Sequence, residues 1–259
     1  MKDIPSSILK QLNNGELESA NVVEWFAIDR RVLLKNTLDI QNRSHYLKPI
    51  IKSIDALKKQ TANTINEAIG IGLLAQAKQH KDNDVVWILQ QCKSDIVRSW
   101  GTFMIGKDTN LSLHQKFQKI QIFAKDKHFN VREEAWVALR ESVIQNVEES
   151  IKILSKWVED EDENIRRFAS EVTRPRGVWC KHIEILKEKP ELALPILEVL
   201  KADTSKYVRD SVGNWLNDAS KTQPDFVKKL CEQWEKESDV VETNYIVKKA
   251  LRTIKKKVL

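Results

Sequence analysis

Residues 164–218 hold the groups most suited to chemistry. Two carboxylates, Glu171 and Asp218, lie there with Arg166, Arg167, Arg174, Arg176 and Trp179 on a strongly helical background. A carboxylate can stabilise a developing positive charge, and it can position or deprotonate water. The electron-rich face of an indole attracts a cation with about 0.5–2 kcal/mol. Arginine and lysine neutralise phosphates. The bland alternative is close at hand, because Arg167 and Glu171 have the i,i+4 spacing of an ordinary helical ion pair, worth a few tenths of a kcal/mol. For any one residue a structural ladder is the simpler reading; as a set, the carboxylates, Trp179 and the Arg174/Arg176 pair are harder to dismiss.

The elements that must position these groups are helices. Gly and Pro are scarce (7 and 6), and straight-chain residues dominate. From residue 83 the chain is repetitive: an amphipathic helix, a turn, then a second helix opening on an apolar-Arg pair. The anchors Val97, Val131, Ile165 and Val208 recur at intervals of 34, 34 and 43 residues, a period that predicts stacked helical hairpins. The expected fold is all-α, a right-handed solenoid of HEAT-like antiparallel hairpins. It would form one domain over 1–259, with an N-terminal helical cap at 1–80 and repeats over 81–259. The apolar-Arg pairs could form a ladder in which each arginine bridges to its neighbouring repeat.

The long third interval implies an inserted arm at about 174–189. Arg174-Pro-Arg-Gly177 should end the preceding helix, and insertions in a solenoid often mark its binding face. Arg174, Arg176, Trp179 and Lys181 are therefore candidate functional residues. Two residues beyond each anchor lies a separate face. It carries Glu133, Arg167 with Glu171, and Asp210 with Asn214 and Asp218, in rows on successive second helices. Earlier in the chain, Ser19 is expected to cap a helix running to about Leu38, with Trp25, Phe26 and Val32 on its apolar face. Trp25, Trp87, Trp157 and Trp234 read as core, and a final helix should span about 245–257.

The formal charge is +6, and it is unevenly spread. Lys248, Lys249, Arg252, Lys255, Lys256 and Lys257 face no acidic residue after Asn244; setting them aside lowers the 43 Lys and Arg to the 37 of Asp and Glu. This end is either a solvated basic helix terminus or a phosphate-binding patch. Cys92, Cys180 and Cys231 are odd in number and far apart, which argues against a disulfide framework. No zinc-ligand spacing, nucleotide-phosphate loop, apolar signal core or membrane-spanning run occurs. The expected protein is a monomer of the reducing cytoplasm, of bacterial type and nucleoid-associated, with no membrane contact.

Four segments resemble the AlkC branch of the HEAT-like-repeat alkylpurine DNA glycosylases, the AlkC/AlkD superfamily. They are residues 12–29, Arg166-Arg-Phe-Ala-Ser-Glu-Val-Thr-Arg-Pro-Arg176, Ser205 to Lys221 with its Leu216-Asn-Asp218, and the basic helix 245–256. The resemblance implies a solenoid that binds duplex DNA in a positively charged groove and hydrolyses the N-glycosidic bond of cationic alkylated bases. Those bases are notably 3-methyladenine, and 3-methylcytosine as well. No metal or cofactor is implied. By position Glu171 and Asp218 match the catalytic carboxylates, and Arg167 and Trp179 match the active-site arginine and aromatic. A further acid maps to Glu133 or Glu134, and the face argument favours Glu133. Arg174, Arg176, Lys181, Arg209, Lys248, Lys249, Arg252, Lys255 and Lys256 are the expected DNA contacts. Two rivals compete with this reading: a non-catalytic binder of distorted or branched DNA, and a HEAT scaffold for proteins.

Overall fold

The computed structural model describes residues 4–177 and 180–256, with the side chain of Lys256 not described. In chain order the α-helices are α1 Ser6–Asn13, α2 Val22–Ala27, α3 Arg30–Ile40, α4 Leu47–Asp55, α5 Ala62–His80, α6 Val85–Gln90, α7 Asp95–Lys107, α8 Leu113–Ala124, α9 Phe129–Gln145, α10 Val147–Leu154, α11 Glu163–Val172, α12 Glu184–Glu188, α13 Leu194–Leu200, α14 Lys206–Ala219, α15 Pro224–Glu237, α16 Val241–Ala250 and α17 Arg252–Lys256. Among the described residues there is no strand, and no helix is long and apolar enough to cross a membrane. The fold is all-α and built from repeated helical hairpins. The helices gather into two compact units, one of residues 1–112 and 126–138, the other of 113–125 and 139–259.

The first unit closes on Leu12, Leu33, Leu34, Ile50, Ile54, Ile69 and Trp100, all fully buried. Helices α2, α3, α5 and α7 begin where polar side chains take up their first free N–H groups. Thr61 and Thr64 form a reciprocal capping box on α5. One predicted helix is two. Asn21 caps α2, the chain extends at Ile28, and Asp29 accepts from the amides of Arg31 and Val32 to start α3. Ser19 caps nothing; its amide and hydroxyl bind Asp95 at 2.9 and 2.8 Å. The break turns Phe26 and Val32 outward. Trp87 is a second correction, being exposed on the short helix α6 rather than in the core.

In the second unit Trp157 packs edge-to-face against Phe117 and at a tilt against Phe168. Leu197, Val212, Trp215, Trp234 and Ile246 continue the core with no measurable exposure. Val131 with Ala135, Ile165 with Ala169 and Val208 with Val212 are each fully buried, as the repeat alignment requires. Helix α14 packs on both α11 and α16, so successive second helices lie side by side. The predicted terminal helix instead breaks at Leu251, which caps α16 before α17 begins.

All four arginines of the apolar-Arg pairs hold the turn before their own helix, and Arg98 and Arg166 also form the expected bridges to the next repeat. One guanidinium nitrogen of each arginine donates to the two carbonyls six and five residues before it. Arg98 takes those of Cys92 and Lys93, Arg132 those of Asp126 and Lys127, Arg166 those of Asp160 and Glu161, and Arg209 those of Asp203 and Thr204. Arg98 also grips Asp126 through two nitrogens, at 2.8 and 3.0 Å, and Arg166 grips Asp203 at 2.7 and 3.0 Å. Each such aspartate also accepts from the amide two residues on, so that it shapes the turn it anchors.

Candidate active site

Helices α11 and α14 bring Glu171 and Asp218 together in the second unit. Asp162 and Ser205 cap their N-termini by accepting from Asn164 and Tyr207. The register that buries Ile165 and Ala169 leaves Arg167 and Glu171 on a flank of α11. On α14, burying Val208 and Val212 brings Ser211 and Asp218 to the α11 side. Both carboxylates are almost wholly buried, Glu171 at 4% exposure and Asp218 at 3%.

Arg174 joins them. It follows α11 at the start of the inserted arm, and its guanidinium donates to Glu171 Oε1 at 2.7 Å and to Asp218 Oδ2 from two nitrogens, at 2.9 and 2.7 Å. The remaining oxygens also have partners. Ser211 donates to Glu171 Oε2 at 2.6 Å and Lys221 to Asp218 Oδ1 at 2.9 Å. Arg167 lies 3.6 Å from Glu171 Oε2, with its guanidinium over the ring of Tyr207. Burial alone would raise the pKa of Glu171. The charges of Arg167 and Arg174, with hydrogen bonds from Ser211 and Arg174, outweigh it and hold the carboxyl below its ordinary value. For Arg174, burial is likewise outweighed by the two carboxylates, and its pKa rises. Glu171 and Arg174 are therefore both ionised at neutral pH.

The other expected site residues are placed differently. Trp179 and the side chain of Lys256 lie outside what is described. Arg209, Lys249 and Arg252 are engaged within the fold. Arg209 holds the turn before α14 and also lies over the Tyr245 ring. Lys249 pairs with Asp210, and Arg252 binds Asn217 and Asn214 at 2.9 and 3.0 Å. Lys181, Lys248 and Lys255 are exposed, Lys181 with its ammonium 3.9 Å from Glu141. Arg176 is half-buried, with its Nε unpartnered among the described residues. The row predicted on α14 exists, but its members serve different neighbours: Asp210 takes Lys206, Lys249 and Tyr245, and Asn214 takes Arg252.

Glu133 and Glu134 lie on the part of α9 that belongs to the first unit. Glu133 is half-buried and accepts from the Trp136 indole at 2.9 Å. Glu134 is buried, and its pKa is pushed up to about 7 by desolvation, against the pull of Asn66 and Arg30. No group of three or more His, Cys, Asp or Glu among the described residues could hold a metal ion. Two residues at the centre escape sequence reasoning, Ser211 and Arg140. Ser211 sits inside a quoted segment with nothing in its type to mark it. Arg140 acts on backbone carbonyls, which leave no trace in a sequence.

Residues 128–254 match the family model for DNA alkylation repair enzymes. The uncharacterised protein YhaZ of Bacillus subtilis is 45% identical over 120 residues, 46% of this chain and 33% of that protein. The fold matches the Pseudomonas fluorescens alkylpurine DNA glycosylase AlkC bound to DNA containing an abasic site analogue. There the TM-score is 0.67 at 21% identity, over 96% of this chain and 62% of that one. It also matches AlkD2 from Streptococcus mutans, with a TM-score of 0.58 at 24% identity over 80% of this chain and 96% of that one. The chain thus spans a third of the YhaZ length and under two thirds of the AlkC length. Over residues 128–254 the chain matches the DNA alkylation repair enzyme family in sequence, and over most of its length it shares the fold of AlkC and AlkD2.

Proposed function

We propose that this protein is a DNA glycosylase that releases cationic N-alkylated bases, such as 3-methyladenine, by hydrolysis. One observation carries the reading: two buried carboxyl groups, Glu171 and Asp218, are fixed side by side by a shared arginine, within the segment that matches the alkylation-repair family. A base alkylated on a ring nitrogen is already positively charged and leaves without protonation. Positive charge then develops on the sugar, as in other glycoside hydrolyses. Glu171 and Asp218 stabilise that charge, and one of them orients the attacking water. Trp179 supplies an indole face to the cationic base or sugar. Arg176, Lys181, Lys248 and Lys255 contact DNA phosphates. Arg174, Arg209 and Lys249 drop out of that set, because the fold already engages their side chains; Arg252, exposed and hydrogen-bonded to neutral amides, stays in it.

Binding without catalysis is the second reading, and it too has an observation in its favour. Every oxygen of Glu171 and Asp218 already has a partner inside the protein. The test is single-turnover release of 3-methyladenine from duplex DNA by the wild type, Glu171→Gln and Asp218→Asn. Release by the wild type, and a fall of at least about 100-fold in each variant with DNA binding retained, is the expected result. A wild type that binds DNA and releases no base leaves the binding reading in its place.

A further inference from the structure

Arg140 is a buried cation with no hydrogen-bonded carboxylate. It lies near the end of α9 at 2% exposure, and all three of its nitrogens donate to main-chain carbonyls. Nη1 binds Val172 at 2.6 Å, Nη2 binds Arg174 at 2.5 Å and Nε binds Lys181 at 3.0 Å. The first two carbonyls lie where α11 ends and the arm begins, and the third lies beyond Trp179. One guanidinium thus ties the start of the arm to its middle, at Lys181. Neighbouring contacts finish the job: the Trp215 indole donates to Thr173 O at 3.0 Å, and the Ile183 amide to Pro175 O at 3.0 Å. Every carbonyl from 172 to 175 is therefore held.

Burying a guanidinium on neutral acceptors is costly, and desolvation accordingly lowers the pKa of Arg140. The ladder arginines Arg98 and Arg166 also bind carbonyls, but each offsets its burial with an aspartate. Capping the negative end of α11 is a fair use for a cation, yet a cap alone needs neither the third bond to Lys181 nor complete burial. What the three bonds fix in common is the path of the chain through Arg174. A planar fork of donors spans carbonyls at the start and the middle of the arm; a lysine ammonium cannot copy that geometry.

We propose that Arg140 is a positioning residue for the active centre, holding the inserted arm so that Arg174 stays between Glu171 and Asp218. The catalytic part of this proposal rests on the glycosylase reading; the part concerning the arm does not. The charged groups around Glu171 are Arg167, Arg174, Asp218 and Arg140 itself, with the Cys180 thiol also near. If the arm loosens, Glu171 loses part of the Arg174 field that keeps it ionised.

The test compares wild type, Arg140→Lys and Arg140→Met by thermal unfolding, limited trypsin digestion and the pH profile of base release. The expected result is faster cleavage after Arg176 and Lys181, with cutting elsewhere unchanged. Release from saturated enzyme should slow by about 10–100-fold while DNA affinity holds. The acidic limb of the rate profile should move to higher pH, and the lysine variant should fall between the other two. Unchanged arm cleavage and an unmoved acidic limb in a folded variant overturn the proposal. Should Arg140→Met fail to fold, Arg140→Lys decides by the same readouts. If the wild type releases no base, the glycosylase reading falls, and trypsin cleavage of the arm still decides whether Arg140 holds it.

Discussion

Replacing Arg174 by methionine keeps most of the side-chain volume and removes the charge shared by Glu171 and Asp218. Removing one partner of a buried ion pair costs about 3–5 kcal/mol, because the other is left as an uncompensated charge. Here one cation serves two anions, but Lys221, Arg167 and the Ser211 hydroxyl stay behind. The lower end, about 3 kcal/mol at pH 8, is therefore expected. At about 2–4 °C per kcal/mol, that is a fall of about 6–12 °C in Tm. The loss must also depend on pH. In the wild type Glu171 has a depressed folded pKa. Its contribution is present above its unfolded value and is lost only as pH falls through the depressed one, so it is constant between pH 8 and 5.5. Without Arg174 burial dominates, the folded pKa rises, and the variant regains stability on acidification. Urea unfolding at pH 8 and 5.5, at fixed ionic strength, reads the gap. A gap of the same size at both pH values refutes the electrostatic account and assigns Arg174 a packing role. Adding Glu171→Gln to Arg174→Met should recover part of the loss at pH 8.

Two further outcomes test other parts of the fold. Glu134, with a folded pKa raised to about 7, binds more protons folded than unfolded between its ordinary value of 4.5 and 7, so stability falls as pH rises through that window. Glu134→Gln should abolish this fall and gain up to about 3 kcal/mol over wild type on going from pH 5 to 8, which parallel stability–pH curves would exclude. Arg166→Met removes a double contact to Asp203 and two carbonyl bonds, and should cost about 3 kcal/mol. Hydrogen exchange should then quicken in the turns near Asp160 and Asp203, and unchanged protection there would count against the ladder.

The repeat was legible because its signal is apolar and periodic. Val131 with Ala135, Ile165 with Ala169 and Val208 with Val212 could be paired by spacing alone, and all six are buried. The arginine ladder was legible as a possibility, since an arginine follows every anchor. The missed features turn on local competition. Asp29 reads equally well as a polar position inside one helix and as the cap of the next. Choosing the cap splits the helix and turns Phe26 outward. Trp87 looks like core by spacing, but α6 is six residues long and leaves the indole outside. At the centre, the pairing of Glu171 with Asp218 followed from the faces of α11 and α14. The bridge between them did not, because an arginine beside a proline reads as a phosphate contact as readily as an ion-pair partner.

Basic residues in this chain therefore give a poor count of charge open to DNA. The formal excess of +6 lies in the last residues, yet Lys249 is paired with Asp210, whereas Arg252 keeps its charge at the surface while bonding Asn217 and Asn214. Arg98, Arg166 and Arg209 hold turns, and Arg140 and Arg174 fix the arm and the carboxylates. Arginine recurs in these internal roles because its fork satisfies two or three acceptors with one ordered side chain. The exposed cations on the proposed DNA-contact list are mostly lysines, Lys181, Lys248 and Lys255, suited to phosphates as point charges without fixed geometry. This division separates two kinds of failure. Losing an exposed lysine should weaken DNA binding in a salt-dependent way with catalysis intact. Losing Arg140 or Arg174 should leave binding intact and damage the centre that acts on the sugar.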